Sequence, residues 1–203
     1  MDIDKSSTAL LALDFQHDIV SRDGKFGSHG LGEVVDAMGA IPSAARALGA
    51  AREAGLHVAH AGVSAADGQS LNMTAGLFAG IVGLGAVRPG SEGVEFVDEM
   101  APRPDEYVAM KATVSALAGT GLDSHLRTSG IRHLVLVGVA TNMVVEGTTR
   151  QAVDMGYQVT ILGDGCASFS VELHGFALGV LENLATISTV DEFVSAVKDG
   201  FGH

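Results

Sequence analysis

Two side chains of opposite charge close short apolar runs. Asp14 stands near the end of TALLALDF (8–15), and Lys111 ends YVAMK (107–111). A carboxylic acid and an ammonium group brought to one place can manage a proton: the acid gives or takes it, and the cation favours its ionised form. Burial pushes the pKa of such an acid up, and a neighbouring lysine pulls it down. A third segment, TNMVVE (141–146), follows the apolar run LVLVGVA (134–140) and reads as the opening of a helix. Unpaired N–H groups at such a helix start can hold a developing negative charge. The histidines offer less. His57 and His60 share one run, LHVAHAGV, three residues apart. In a strand that spacing sends them to opposite faces, so a shared metal is not expected, and no metal or cofactor is assigned. Cys166, in GDGCAS, is the lone cysteine. It reads as a packed core thiol. One cysteine allows no intrachain disulfide and no cysteine-based zinc motif.

These residues need elements to hold them. Apolar runs at 8–15, 56–63, 107–111, 131–139, 157–162 and 186–190 read as strands. Stretches with apolar residues at helical spacing lie between them: 33–54, 122–129, 141–155, 171–184 and 191–197. Thr141 is placed as the N-cap of its helix. Residues 64–104 show little periodicity and much glycine, the mark of a long functional loop. Strand and helix alternate throughout, which predicts a single α/β domain over 1–203. Its sheet is mainly parallel with helices on both faces, a Rossmann-like three-layer sandwich. Right-handed crossovers then bring every strand C-terminus to one edge, where open α/β sheets bind ligands. Asp14, Lys111 and the 139–144 segment all fall on that edge.

Composition narrows the function. The chain has 203 residues, 47% of them hydrophobic, and a formal net charge of −12. An acidic surface repels phosphate backbones, so nucleic acid is excluded as the expected partner. The longest apolar run is far shorter than the ~20 residues a membrane helix needs. The first residues, MDIDKSST, lack the basic start and apolar stretch of a signal peptide. The expectation is a cytoplasmic protein acting on a small molecule.

Three segments carry a resemblance: LLALDFQHDIV (10–20), MKATVSALAGTGLDSHLRTSGI (110–131) and LVLVGVATNMVVEGTTRQAVDMGYQVTILGDGCAS (134–168). In this order they resemble the isochorismatase-like hydrolase superfamily, which includes nicotinamidase, N-carbamoylsarcosine amidohydrolase and isochorismatase. The resemblance implies a site built from Asp14, Lys111 and a cysteine nucleophile in a segment of the form T-N-x-C-V-E. Here that cysteine position is Val144. A valine has no lone pair, and loss of a nucleophile from a catalytic unit costs about 10⁴–10⁶ in rate. The resemblance further points to Gln16, Phe78, Arg88, Ser115, Val139, Ala140, Thr141 and Met143 around the substrate, with Asn72 in the same wall. It also implies a cis bond between Val139 and Ala140, and a homodimer or homotetramer. The metal cluster that nicotinamidases carry has no counterpart. Two readings result. One is a hydrolase of a small metabolite that lacks a cysteine nucleophile and uses Asp14 as general acid/base with Lys111. The other is an inactive member that binds a small ligand or serves as an oligomeric scaffold.

Overall fold

The computed structural model describes residues 3–64 and 76–199. Six strands form one sheet: β1 Thr8–Leu13, β2 His57–Val63, β3 Tyr107–Lys111, β4 His133–Val139, β5 Gln158–Ala167 and β6 Thr186–Ser188. All pair in parallel, in the order β3-β2-β1-β4-β5-β6. The chain lays down β1 to β3 in one direction, then returns and builds β4 to β6 on the other side of β1. The crevice between β1 and β4 is therefore the switch point of the sheet, where such folds hold ligands.

The helices are α1 His17–Val20, α2 Leu31–Met38, α3 Ala40–Glu53, α4 Gly76–Gly83, α5 Leu122–Thr128, α6 Glu146–Asp154, α7 Val171–Leu181 and α8 Val190–Asp199. They cover both faces of the sheet. Ala9, Leu11 and Leu13 of β1 belong to a core with Leu126 of α5, Ala152 of α6 and Leu181 of α7. Leu10 and Ala12 belong to the opposite core with Leu48 of α3 and Phe193 of α8. Every residue of β1 is buried, as a central parallel strand requires. Gly138 in β4 allows close packing: a Cβ there would lie 2.7 Å from Leu13 Cβ. Among the described residues no helix is long and apolar enough to cross a membrane.

The structure corrects several expected boundaries. The helix expected over 33–54 is two helices, α2 and α3. Gly39 breaks them with φ 65, a left-handed turn that glycine adopts without penalty. The stretch 64–104 holds α4 and two short 3-10 turns, Glu92–Val94 and Asp98–Met100. The helix expected from Thr141 begins as a π turn, Thr141–Val145, and becomes α-helical only at Glu146. β5 runs on to Ala167, across a register shift beside Leu136 and Gly138. Glycine-rich GDG hid that continuation from the apolar pattern.

At the far edge, Glu106 ties the entry of β3 to α3 and β2. Its carboxylate accepts both Arg52 Nε and Nη2 at 2.8 Å, the Arg103 backbone N–H at 2.8 Å, and pairs with His60 Nε2 at 2.8 Å. Burial alone would raise this carboxyl; the donors from Arg52, Arg103 and His60 outweigh it and hold the pKa at about 2 rather than 4.5. A depressed carboxyl contributes stability above its ordinary pKa and loses it as the pH falls through the folded value. Glu106→Gln should therefore flatten the acid limb of stability between about pH 4.5 and 2, measured by urea titration. An unchanged limb would refute this role.

Candidate active site

The site begins where β1 stops. Asp14 leaves the strand with φ 60, a left-handed conformation uncommon outside glycine but better tolerated by aspartate than by branched residues. Its N–H donates to the Ala61 carbonyl at 2.8 Å. Lys111 is the last residue of β3, paired in register with Val63 of β2. Neighbouring strands sit about 4.8 Å apart, so β1 and β3 are separated by roughly 10 Å. The long lysine side chain crosses that gap. Its Nζ donates to Asp14 Oδ2 at 2.8 Å and to the Thr113 carbonyl at 3.1 Å. The other carboxylate oxygen, Asp14 Oδ1, is buried and has no partner among the described residues. The lysine side chain is 1% exposed and the aspartate 7%, and both border the same cavity. Burial raises the Asp14 pKa and outweighs the attraction of Lys111.

The third wall comes from β4. The Val139–Ala140 bond is cis, and the π turn follows. Val144 is buried. It lines one cavity together with Asp14, Lys111, Phe78, Val139, Ala140 and Met143. The cavity is narrow. Its volume is about 40 Å³, against ~10–15 Å³ for a single water. It would hold about three waters, or a compact organic molecule.

Four other expected residues stand apart from this wall. Gln16 is fully buried, but its amide is spent on backbone: Nε2 donates to Val63 O and Val94 O at 2.8 and 2.7 Å, and Oε1 accepts from Val63 N. It braces β2 against the loop before β3. Arg88 is exposed and folds beside Gly85. Ser115 Oγ accepts from Leu117 N at 3.2 Å, closing the turn after Lys111. Thr141 is no helix cap. Its hydroxyl donates to Ala167 O at 3.0 Å and pairs with His174 Nδ1 at 2.8 Å. Asn72 lies outside the described residues.

The wall also contains residues the sequence did not mark. Ile19, Phe26, Leu31, Leu77, Ile81 and Phe169 all face the cavity. Leu77, Phe78 and Ile81 come from α4, which had no recognisable periodicity. Phe169 lies two residues past the end of β5 and was hidden because that strand was read too short. Cys166 is fully buried and pairs with Gly138 in the β4–β5 ladder. Burial pushes its thiol up to about 12, so it stays protonated at neutral pH. It is not part of the cavity wall. Among the described residues no three His, Cys, Asp or Glu side chains are placed to hold a metal ion.

The Asp14–Lys111 pair has a testable energetic signature. Removing one member of a buried pair costs about 3–5 kcal/mol, because the other charge is stranded. A carboxyl whose folded pKa is raised contributes most at low pH and loses that contribution as the pH rises through the folded value. Lys111→Met should thus destabilise strongly at pH 8 and less at pH 5, where Asp14 can take up a proton. Urea denaturation at the two pH values measures this; an equal penalty at both would contradict the pairing.

Comparison with known proteins places this geometry. The family model described as the isochorismatase domain matches residues 8–192. The chain is 33% identical to ureidoacrylate amidohydrolase RutB of Variovorax paradoxus, the alignment covering 93% of this chain and 81% of that one. A solved cysteine hydrolase from Pseudomonas syringae pv. phaseolicola shares the fold with a TM-score of 0.86 at 19% identity, over 99% of this chain and 97% of that one. The pyrazinamidase/nicotinamidase of Streptococcus mutans gives a TM-score of 0.75 at 27% identity, over 89% of this chain and 99% of the other. With the six-stranded parallel sheet and the matched span of the domain, these likenesses establish that the chain belongs to the isochorismatase family.

Proposed function

We propose that the chain hydrolyses a small metabolite with water as the nucleophile, Asp14 moving the proton and Lys111 holding the carboxylate. One observation carries the proposal: among the described residues Asp14 Oδ1 is a buried acceptor without a partner, and Asp14 lines a cavity where the position expected for a cysteine is Val144. A valine offers neither a lone pair nor a proton. Water held against Oδ1 supplies both. Its proton passes to Asp14 as its oxygen bonds to the electrophilic carbon, and Asp14 returns that proton to the leaving group. Lys111 stays protonated throughout and keeps the pair neutral whenever Asp14 is ionised. For an enol ether the order reverses: Asp14 first protonates carbon, and water then adds to the resulting cation. The raised Asp14 pKa suits an acid that must hold a proton for part of the cycle. Two of the similar proteins are amide hydrolases by name, which supports a C–N bond as the first to test. The net charge of −12 favours a small metabolite over nucleic acid.

Turnover of a panel of small amides and enol ethers tests this reading. Asp14→Asn should lower kcat on any converted compound by about 10²–10⁴, the usual worth of a positioned acid/base. A variant that keeps the wild-type rate removes Asp14 from the chemistry. The apolar Val144 and the narrow cavity also favour a second reading, an inactive member that binds a small ligand or acts as a scaffold. Tight binding with no conversion after prolonged incubation, followed by NMR, would select it.

A homodimer or homotetramer belongs to the same proposal. Supporting it, α7 exposes Val171, Leu173 and Phe176, the last 72% exposed. Large apolar side chains left in water at this density favour self-association. Sedimentation velocity should show an oligomer that Phe176→Glu weakens; a monomeric wild type would refute it.

A further inference from the structure

We infer that the molecule taken by this cavity is neutral and compact: an apolar body with one N–H or O–H donor directed at Asp14 Oδ1. Carboxylated molecules are refused. The inference rests on this cavity being the ligand site and goes on to name the class of ligand.

The argument is one of charge balance. Among the described residues, the charged side chains of the wall are Asp14 and Lys111 alone. They neutralise each other, with Nζ 2.8 Å from Oδ2. The ammonium also donates to Thr113 O and is the more deeply enclosed of the two. An incoming anion would meet the carboxylate along with the ammonium that already neutralises it, and like charges brought together out of water repel strongly. Arg88, expected around the substrate, is exposed and stands outside the wall. Lys25 donates to the Gly85 carbonyl and is also outside it. The segment 65–75 contains no lysine, arginine or histidine, so it cannot supply a positive charge.

The rest of the wall fixes the body of the ligand. Phe26 and Phe169 meet edge to face, with ring centroids 6.1 Å apart. Phe78, Leu77, Ile81 and Val144 add further hydrocarbon. Such a surface gains from apolar contact and offers little to solvate an ionic group. Among the described residues of the wall, the buried polar side-chain atom without a partner is an acceptor, Asp14 Oδ1. A donor on the ligand satisfies it; a second carboxylate does not.

A matched pair of probes tests this in the full-length chain. Isobutyramide and 2-methylmalonamate differ by exchange of one methyl for a carboxylate. Ligand-observed NMR titration at neutral pH should show the neutral amide bound and the carboxylated one weaker by about tenfold or more. Val114 lines the cavity and is partly exposed. Val114→Lys places an ammonium there and should narrow or reverse the preference. Equal or tighter binding of 2-methylmalonamate to the wild type overturns the inference, and so does failure of isobutyramide to bind. The outcome is separable from the catalytic reading. A neutral amide that binds but is never cleaved leaves the preference standing and removes the catalysis. A carboxylated compound cleaved in an Asp14-dependent way does the reverse.

Discussion

An ammonium group reaching across one strand to a carboxylate, both almost out of water, sets the terms for the rest of this site. Lys111 and Asp14 meet at 2.8 Å only because β3, β2 and β1 lie side by side in parallel register. Each alone would be an unpaired charge in a low-dielectric interior, a cost no fold of this size bears easily. Together they form a neutral unit with one acceptor that has no partner among the described residues. The order of the strands and the left-handed turn at Asp14 serve that arrangement. So does Gln16, which locks the end of β2 with three hydrogen bonds to backbone.

The hydrocarbon around this pair gives it chemical force. Val144, Phe78, Phe26 and Phe169 line the cavity beside the carboxylate with hydrocarbon, and burial raises its affinity for a proton against the pull of the lysine. A wall of this kind discriminates by charge as well as by shape. It also separates the two ways a family site can work. A thiolate needs a nearby cation and a polar surround; an acid that must hold and release a proton profits from an apolar one. Cys166, held in the ladder between β4 and β5 with its thiol raised, supplies neither nucleophile nor polarity to the cavity.

The opposite end of the sheet shows the contrary use of charge. Glu106 is surrounded by donors from α3, β2 and the loop before β3 and is held ionised. All its capacity is spent on structure. Asp14 Oδ1 has no partner among the described residues, and this difference sets the two carboxylates apart.

Much of this was legible in the residues themselves. Apolar runs mark buried parallel strands because such strands are covered on both faces, and their alternation with helices dictates an edge where Asp14, Lys111 and the 139–144 segment gather. The family resemblance pointed to Val144, Phe78 and Met143, and all three line the cavity. Tertiary structure alone decided the rest. Gln16, Ser115 and Thr141 have side chains that could serve a ligand or the backbone, and only their neighbours show that the backbone takes them. Phe26, Leu31 and Phe169 are ordinary apolar residues until the chain folds them onto one cavity. Local pattern records which face a residue turns to its own element. It holds no record of which distant groups a side chain will meet, and hydrogen-bond satisfaction and charge balance are properties of those meetings.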